Sequence, residues 1–215
     1  MDDDLDDLIR RVDPDRWLSS RFIGDVGRRA DVIALYAYDY ELARAPRVAS
    51  NPLLAEIRLT WWREVLDEIY EGRPVRRHPT AQALAEAVRR HNLPREPLET
   101  MIDARYRELD ATPMSGDEAG AWARDTAGAA AEVAVRILDP QADVEAARVA
   151  AASWALAKGG HAEALAATLE TARAAARRLS VAAFPAVAHA ALVRRTGSEF
   201  AKRVRLTWAV ARGQI

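Results

Sequence analysis

The sequence contains no cysteine among its 215 residues. This absence excludes disulfides, iron–sulfur clusters and thiol nucleophiles. Strand-forming segments are also scarce, because no stretch is rich in β-branched and aromatic residues. Half of the residues are hydrophobic, which is enough to build one core in a chain of this length. The composition therefore predicts a single-domain, all-α fold.

Long apolar runs are missing as well. The uncharged run 181–193 has 13 residues and contains Pro185 and His189, so it is too short to cross a bilayer. The first seven residues include five aspartates, which is unlike a secretory signal or a transit peptide. We therefore expect a cytoplasmic location, with peripheral attachment to the inner face of the membrane as the open alternative.

Motifs for metal, nucleophilic or nucleic-acid chemistry are not found. The four histidines lack metal-ligand spacing, and no zinc-finger or helix-turn-helix pattern occurs, so we expect no metal site and no nucleic-acid partner. One acidic array remains, formed by Glu99, Asp103 and Asp110. Because Arg105 and Arg107 are interleaved with it, a salt-bridged surface is favoured over a metal site.

The charges are distributed unevenly along the chain. Residues 1–15 carry a net charge of −5, whereas residues 171–215 carry +8. A basic end of this kind suits an anionic membrane surface or an acidic protein, although a solvated arginine-rich face is equally compatible. In the predicted last helix, Trp208 belongs to an apolar stripe flanked by Arg203 and Arg205, which makes these three residues candidate membrane contacts. The alternative is that Trp208 packs into the core.

Proline and glycine divide the chain into helical segments. We expect residues 1–13 to form an acidic N-terminal arm and residues 14–215 to form one domain, whose first helix starts at Pro14 with Asp13 as its cap. The central feature is a pair of helices, one from about Ala34 to a break at Pro46 and one that Pro52 starts. The remaining predicted helices span about 78–91, 95–109, 115–138, 142–158, 161–179, 185–195 and 199–212.

The second helix of the central pair has an apolar stripe at helical spacing. It consists of Leu54, Ile57, Trp61, Val65 and Ile69, and Trp62 and Leu66 widen it. Such a stripe can line a ligand cavity or belong to the ordinary core, and the pattern alone favours core.

These segments resemble the squalene/phytoene synthase family, whose members have the all-α isoprenoid synthase fold. The matching segments, in family order, are 19–22 (SSRF), 34–38 (ALYAY), 58–63 (RLTWWR), 69–74 (IYEGRP), 78–79 (HP), 93–94 (LP) and 122–138. The likeness covers most of the chain from about Pro14 onward and implies a shortened isoprenoid synthase-like helical bundle.

The resemblance is strongest to a catalytically degenerate branch of this family. Active members hold prenyl diphosphates through magnesium, which two aspartate-rich motifs bind. Ala43 and Arg47 occupy the places of the first motif, and the second motif is missing where residues 157–161 lead directly into the next helix. The branch includes a mitochondrial complex I assembly factor, so the resemblance implies a binding or assembly protein with no catalytic residues and no cofactor. Its expected partner is a respiratory complex I subunit or assembly intermediate.

Two other functions stay open at this point. One is a divergent prenyltransferase of the squalene/phytoene synthase type, for which alone magnesium would be a cofactor. The other is a carrier that binds an isoprenoid or quinone in the old cavity. The candidate ligand-binding residues of that remnant cavity are Arg21, Phe22, Tyr36, Tyr40, Glu41, Arg44, Arg58 and Trp62. Stacking of Arg58 on Trp62 is the structural alternative for that arginine.

Overall fold

The computed structural model describes residues 2–48, 51–193 and 198–215. Within these ranges the chain is helical and contains no strand, which confirms the all-α prediction. The α-helices are α1 (Asp2–Val12), α2 (Pro14–Ser20), α3 (Val26–Val48), α4 (Pro52–Tyr70), α5 (Pro79–His91), α6 (Arg95–Tyr106), α7 (Gly116–Ala123), α8 (Ala129–Leu138), α9 (Val144–Lys158), α10 (Ala162–Ala176) and α11 (Glu199–Arg212).

The helix α3 lies at the centre of the bundle. Every residue from Asp31 to Asp39 is buried, as expected for a helix that is surrounded on all sides. Its neighbours are α1, α2, α4, α5, α6 and α8. Two of these buried residues are carboxylates, so each requires a partner of opposite charge inside the protein. Asp31 accepts a hydrogen bond from Arg90 through one oxygen, and its other oxygen lies 2.7 Å from His91 Nε2.

Several helices begin where the sequence predicts. Asp13 accepts a hydrogen bond from the backbone N–H of Arg16, and Asn51 accepts one from Leu54. Each cap is followed by a proline, whose missing N–H costs nothing at the first helical position. Ser115 and Glu118 form a capping box at the start of α7.

A π-helical turn, Arg124–Gly128, joins α7 to α8. The predicted long helix over 115–138 is therefore continuous, but it is locally widened. A Cβ atom on Gly128 would lie 3.0 Å from the carbonyl oxygen of Arg148 in α9, so glycine permits the close approach of these helices. Turns of this type often occur at functional sites.

Two predicted boundaries are wrong. Pro46 lies inside α3 instead of ending it, because α3 ends only two residues later and the proline disturbs just its last turn. Instead of an α-helix starting at Pro185, two 3₁₀ turns cover Phe184–Ala186 and Ala188–Leu192. The carbonyl of Pro185 accepts a hydrogen bond of 2.6 Å from Ser19 Oγ, which competes with a regular helical bond. The predicted end of that helix, Arg195, lies outside the described residues.

The buried stripe of α4 also differs from the prediction. Leu54 and Ile57 are 39% and 55% exposed, so the predicted stripe is wrong at its N-terminal end. The buried stripe instead includes Ala55, Leu59 and Trp62, which are spaced three or four residues apart. Trp62 is buried and Trp61 is partly buried, as the core interpretation requires.

The two ends of the chain are both helical. Leu5 and Ile9 of α1 are buried against the bundle. At the other end, Leu206 is buried, whereas Trp208 is 60% exposed, so the alternative that Trp208 packs into the core is wrong. Within the described ranges, we find no helix with the length and hydropathy needed to cross a membrane.

Candidate functional site

A cavity of about 260 Å³ opens between α2, α3, α6, α9 and the π-helical turn. We call it the central cavity. Charged and aromatic side chains form much of its wall, and these include Arg16, Asp39, Arg47, Arg105, Trp154 and Lys158.

The floor of the central cavity is a buried ion network centred on Asp39. One carboxylate oxygen of Asp39 accepts a hydrogen bond from Arg16, and the other accepts one of 2.7 Å from Arg105 Nη2. Arg105 also pairs with Glu108, whose carboxylate accepts a hydrogen bond of 2.9 Å from the indole N–H of Trp122. The network therefore joins α2, α3, α6 and α7.

The two arginines fix the charge state of Asp39. Burial by itself would raise the pKa of this carboxyl, because the charged form loses its hydration. The charges and hydrogen bonds of Arg16 and Arg105 outweigh that effect and lower the pKa to about 2. Asp39 is therefore ionised at neutral pH, and both of its oxygens are engaged by guanidinium groups.

Aromatic rings enclose the guanidinium of Arg16. It lies 5.1 Å from the ring centre of Tyr36 and 4.5 Å from that of Trp154. His189 packs edge-on against Trp154, with ring centres 5.1 Å apart. Burial lowers the pKa of His189 well below its ordinary value, so the imidazole is neutral. The Tyr36 hydroxyl, the Trp154 N–H and both His189 nitrogens have no hydrogen-bond partner among the described residues.

The rim of the central cavity carries two cations, and one of them, Arg47, occupies a place where the family resemblance expects an aspartate. Ala43 and Arg47 line it from α3, and Lys158 and Gly159 line it from the end of α9. Lys158 Nζ lies 2.9 Å from a carboxylate oxygen of Asp15. In the part of the chain that the structure describes, Arg47 has no ion-pair partner, and no three His, Cys, Asp or Glu residues are placed to hold a metal ion.

The predicted ligand-binding residues are divided between separate places. Tyr40 lines the central cavity, and Tyr36 lies below Arg16. Arg21 pairs instead with Asp6, and its guanidinium lies 4.7 Å from the ring centre of Trp17. Phe22, the next residue, does not line the central cavity.

The other four predicted residues meet in a second depression, between α3 and α4. This outer groove has a volume of about 240 Å³ and is lined by Glu41, Arg44, Ala45, Arg58, Trp61, Trp62 and His78. Arg58 is exposed, and the guanidinium that stacks on the tryptophan pair is that of Arg76, 4.9 Å from the ring centre of Trp61.

The acidic array on α6 is salt-bridged, as favoured from its sequence. Asp103 pairs with Arg63 of α4, Glu99 pairs with Arg95, and Asp110 lies 3.8 Å from Arg107.

Sequence reasoning missed the network of Arg16, Asp39 and Arg105. One signal was available, because Asp39 interrupts an apolar segment that had to be buried. Its two partners lie 23 and 66 residues away in the chain, so local spacing could not identify them.

Comparison with known proteins places this site in a family context. A family model described as squalene/phytoene synthase matches residues 9–159. A Bos taurus relative named NADH dehydrogenase (ubiquinone) complex I, assembly factor 6, is 34% identical over 104 residues, which is 48% of this chain and 31% of the relative. A relative of the same name from Homo sapiens is 32% identical over 104 residues, which is 48% of this chain and 31% of the relative. A third, from Mus musculus, is 29% identical over 134 residues, which is 61% of this chain and 39% of the relative. The chain thus spans about a third of the length of the curated relatives it matches.

We expect Asp39→Asn to lower the free energy of unfolding by about 3–5 kcal/mol, because it leaves two buried guanidinium groups without their shared anion. Since the folded-state pKa of Asp39 is about 2, below the ordinary 3.8, its contribution to stability is present above about pH 4 and is lost as the pH falls through 2. Urea unfolding at pH 7 and pH 3 should therefore show a smaller difference between wild type and variant at pH 3.

The matched control is Asp103→Asn, which breaks an ion pair whose carboxylate side chain is 61% exposed. It should cost less than about 1 kcal/mol at either pH. Equal destabilisation by the two substitutions at pH 7 would contradict the importance of the buried network.

Proposed function

The chain belongs to the squalene/phytoene synthase family, and from this premise we propose that it is a non-catalytic assembly factor for respiratory complex I. The names of its relatives support the assembly role, and the composition of the central cavity supports the loss of catalysis. The observation that carries the proposal is that the cavity wall presents Ala43 and Arg47, which the family resemblance aligns with the first aspartate-rich motif.

The first wall of the cavity does not fit a magnesium–diphosphate complex. Magnesium requires six oxygen ligands in near-octahedral geometry, and at a phosphate site one or two protein carboxylates join the substrate phosphates and water in supplying them. Asp13 and Asp39 are the carboxylates that line this cavity. Asp39 is held by two arginines, and Asp13 caps α2 through Arg16 N–H. Neither is available as a ligand without breaking an existing interaction.

The second wall is shortened. The helix α9 ends at Lys158, and α10 begins at Ala162, so three residues connect them. Gly160 in this connection has a φ of +77°, which makes a tight turn rather than an extension of α9. No segment is left here for a second aspartate-rich motif.

A second candidate function is ligand binding without chemistry. The central cavity combines aromatic walls with the exposed guanidinium of Arg47, which has no ion pair with any described residue, as an anionic or quinone-like isoprenoid would require. The two rim cations, Arg47 and Lys158, would also suit a divergent prenyltransferase that holds diphosphate without magnesium. The assembly role is favoured because the described cavity offers cations for binding but no metal ligands for activating a leaving group.

We expect a strain that lacks this gene to lose assembled complex I, because the proposed partner would not mature. The measurement is rotenone-sensitive NADH:quinone oxidoreductase activity in isolated membranes, together with a native gel stained for NADH dehydrogenase. Wild-type protein should restore both signals, and so should Ala43→Ser, which alters a cavity position with no proposed role in assembly. Succinate dehydrogenase activity is the control and should not change. Normal complex I in the deletion strain would refute the assembly role.

We also propose that the protein attaches reversibly to an anionic membrane through α11. Leu206 and Ala209 bury one face of this helix against the bundle, whereas Phe200 and Trp208 are 77% and 60% exposed. Val204, 53% exposed, lies between these two aromatic residues and completes an outward apolar stripe.

Cations flank that stripe on both sides. Arg205 and Arg212 lie along one edge, with the guanidinium of Arg212 3.9 Å from the ring centre of Trp208, and Arg203 lies along the other edge. An interfacial helix places tryptophan at headgroup depth and its cations on anionic lipids. Lys202 points inward and pairs with the buried Asp15, whereas Arg203 pairs with the exposed Glu199 and stays at the surface.

We expect wild-type protein to sediment with vesicles that contain phosphatidylglycerol at low salt and to be released at high salt, since each basic residue contributes about 1 kcal/mol at such a surface. Reversing the charges of Arg203 and Arg205 should weaken sedimentation, and Trp208→Ala should weaken it at both salt concentrations. Arg89→Glu, on exposed α5, is the control and should have little effect. Equal binding to neutral and anionic vesicles, or no binding to either, would contradict attachment through α11.

A further inference from the structure

We propose that the outer groove and the apolar ridge beside it bind an acidic amphipathic segment of a partner protein. The ridge consists of Leu53, Leu54 and Ile57. The inference concerns the chemistry of this surface and does not depend on the partner being a complex I subunit.

The ridge provides the apolar half of the surface. Leu53, Leu54 and Ile57 are 62%, 39% and 55% exposed. They occupy the first two turns of α4 on one side of the helix, at spacings of three and four residues. Single exposed apolar residues are common, but three large aliphatic side chains next to a groove mark an interaction surface.

The groove provides a rigid aromatic floor next to this ridge. The ring centres of Trp61 and Trp62 are 4.9 Å apart, and His78 packs edge-on against both at 5.4 and 5.3 Å. Arg76 covers the Trp61 ring and is itself held by Glu68. A floor fixed in this way loses little side-chain entropy on binding, which favours affinity.

The charges in the groove determine which sign of charge a bound segment should carry. Arg58 is exposed and forms no ion pair within the described ranges. Arg44 meets Glu41 at 3.4 Å, and its side chain is 49% exposed. Two guanidinium groups therefore face one carboxylate, so a bound segment that carries carboxylates is complementary and a basic one is not.

Other occupants fit this surface less well. Glu56, next to Ile57 on α4, is exposed, so a flat anionic lipid surface that contacted the ridge would meet a like charge there. A second copy that docked with Arg58 at the twofold axis would bring this residue close to its own equivalent, which is also repulsive. An acidic amphipathic helix or strand avoids both conflicts, because it can present leucine or aromatic anchors to the ridge and carboxylates to Arg58.

The test is selection of a random peptide library displayed on phage against the full-length protein, with counter-selection against Ile57→Asp. We expect the enriched peptides to combine aliphatic or aromatic anchors with aspartate or glutamate. A synthetic, fluorescein-labelled copy should bind wild type, and Arg58→Glu should weaken its binding by about tenfold or more. A peptide in which lysine replaces each acidic residue should bind the Arg58→Glu variant more tightly than the original peptide does. Arg89→Glu is the matched control and should bind like wild type.

Several results would overturn the proposal. These are the absence of any peptide that distinguishes wild type from Ile57→Asp, enrichment of basic or uncharged peptides, or equal binding to wild type and Arg58→Glu. Ile57-dependent dimerisation in sedimentation velocity would assign the surface to a second copy instead. Ile57-dependent binding to anionic vesicles would assign it to lipid. Both substituted residues are exposed, so circular dichroism should show native helicity in each variant.

Discussion

The ion network of Asp39 with Arg16 and Arg105 is the constraint on which the central cavity depends. A carboxylate in the fully buried segment 31–39 of α3 is stable only if opposite charges neutralise it and satisfy both of its oxygens. Here the partners come from α2 and α6, so one interaction fixes three helices around the cavity floor. It also leaves Asp39 without a free oxygen for a metal ion, which links the stability of the fold to the proposed loss of magnesium chemistry.

Much of the helical architecture could be predicted from local sequence. The caps at Asp13, Asn51 and Ser115 are local signals, and each starts a helix as predicted. The long-range features could not be predicted. The pairing of Asp39 depends on distant residues, and the turn at Pro185 depends on a hydrogen bond from Ser19, 166 residues away in the chain.

The buried face of α4 shows a different limit of sequence reasoning. Apolar residues occupy two overlapping stripes on this helix, one containing Ile57 and Trp61 and the other containing Leu59 and Trp62. Periodicity alone does not say which stripe faces the core. The bundle buries the second stripe, and the exposed part of the first becomes the ridge of the outer groove. The residues predicted as one remnant cavity are separated: Tyr40 lines the central cavity with its buried ions, four residues line the aromatic outer groove, and Arg21 and Phe22 line neither.

The central claim is that this family member has exchanged diphosphate chemistry for binding. The most direct measurement is incubation of the purified protein with geranylgeranyl or farnesyl diphosphate, magnesium and NADPH, followed by product analysis, with an active squalene or phytoene synthase as positive control. The account predicts no head-to-head condensation product above the protein-free background, because Ala43 and Arg47 are proposed to stand in place of the first set of magnesium ligands and the connection after α9 is proposed to lack a second set. A condensation product that forms with this protein and disappears when magnesium is chelated would contradict it.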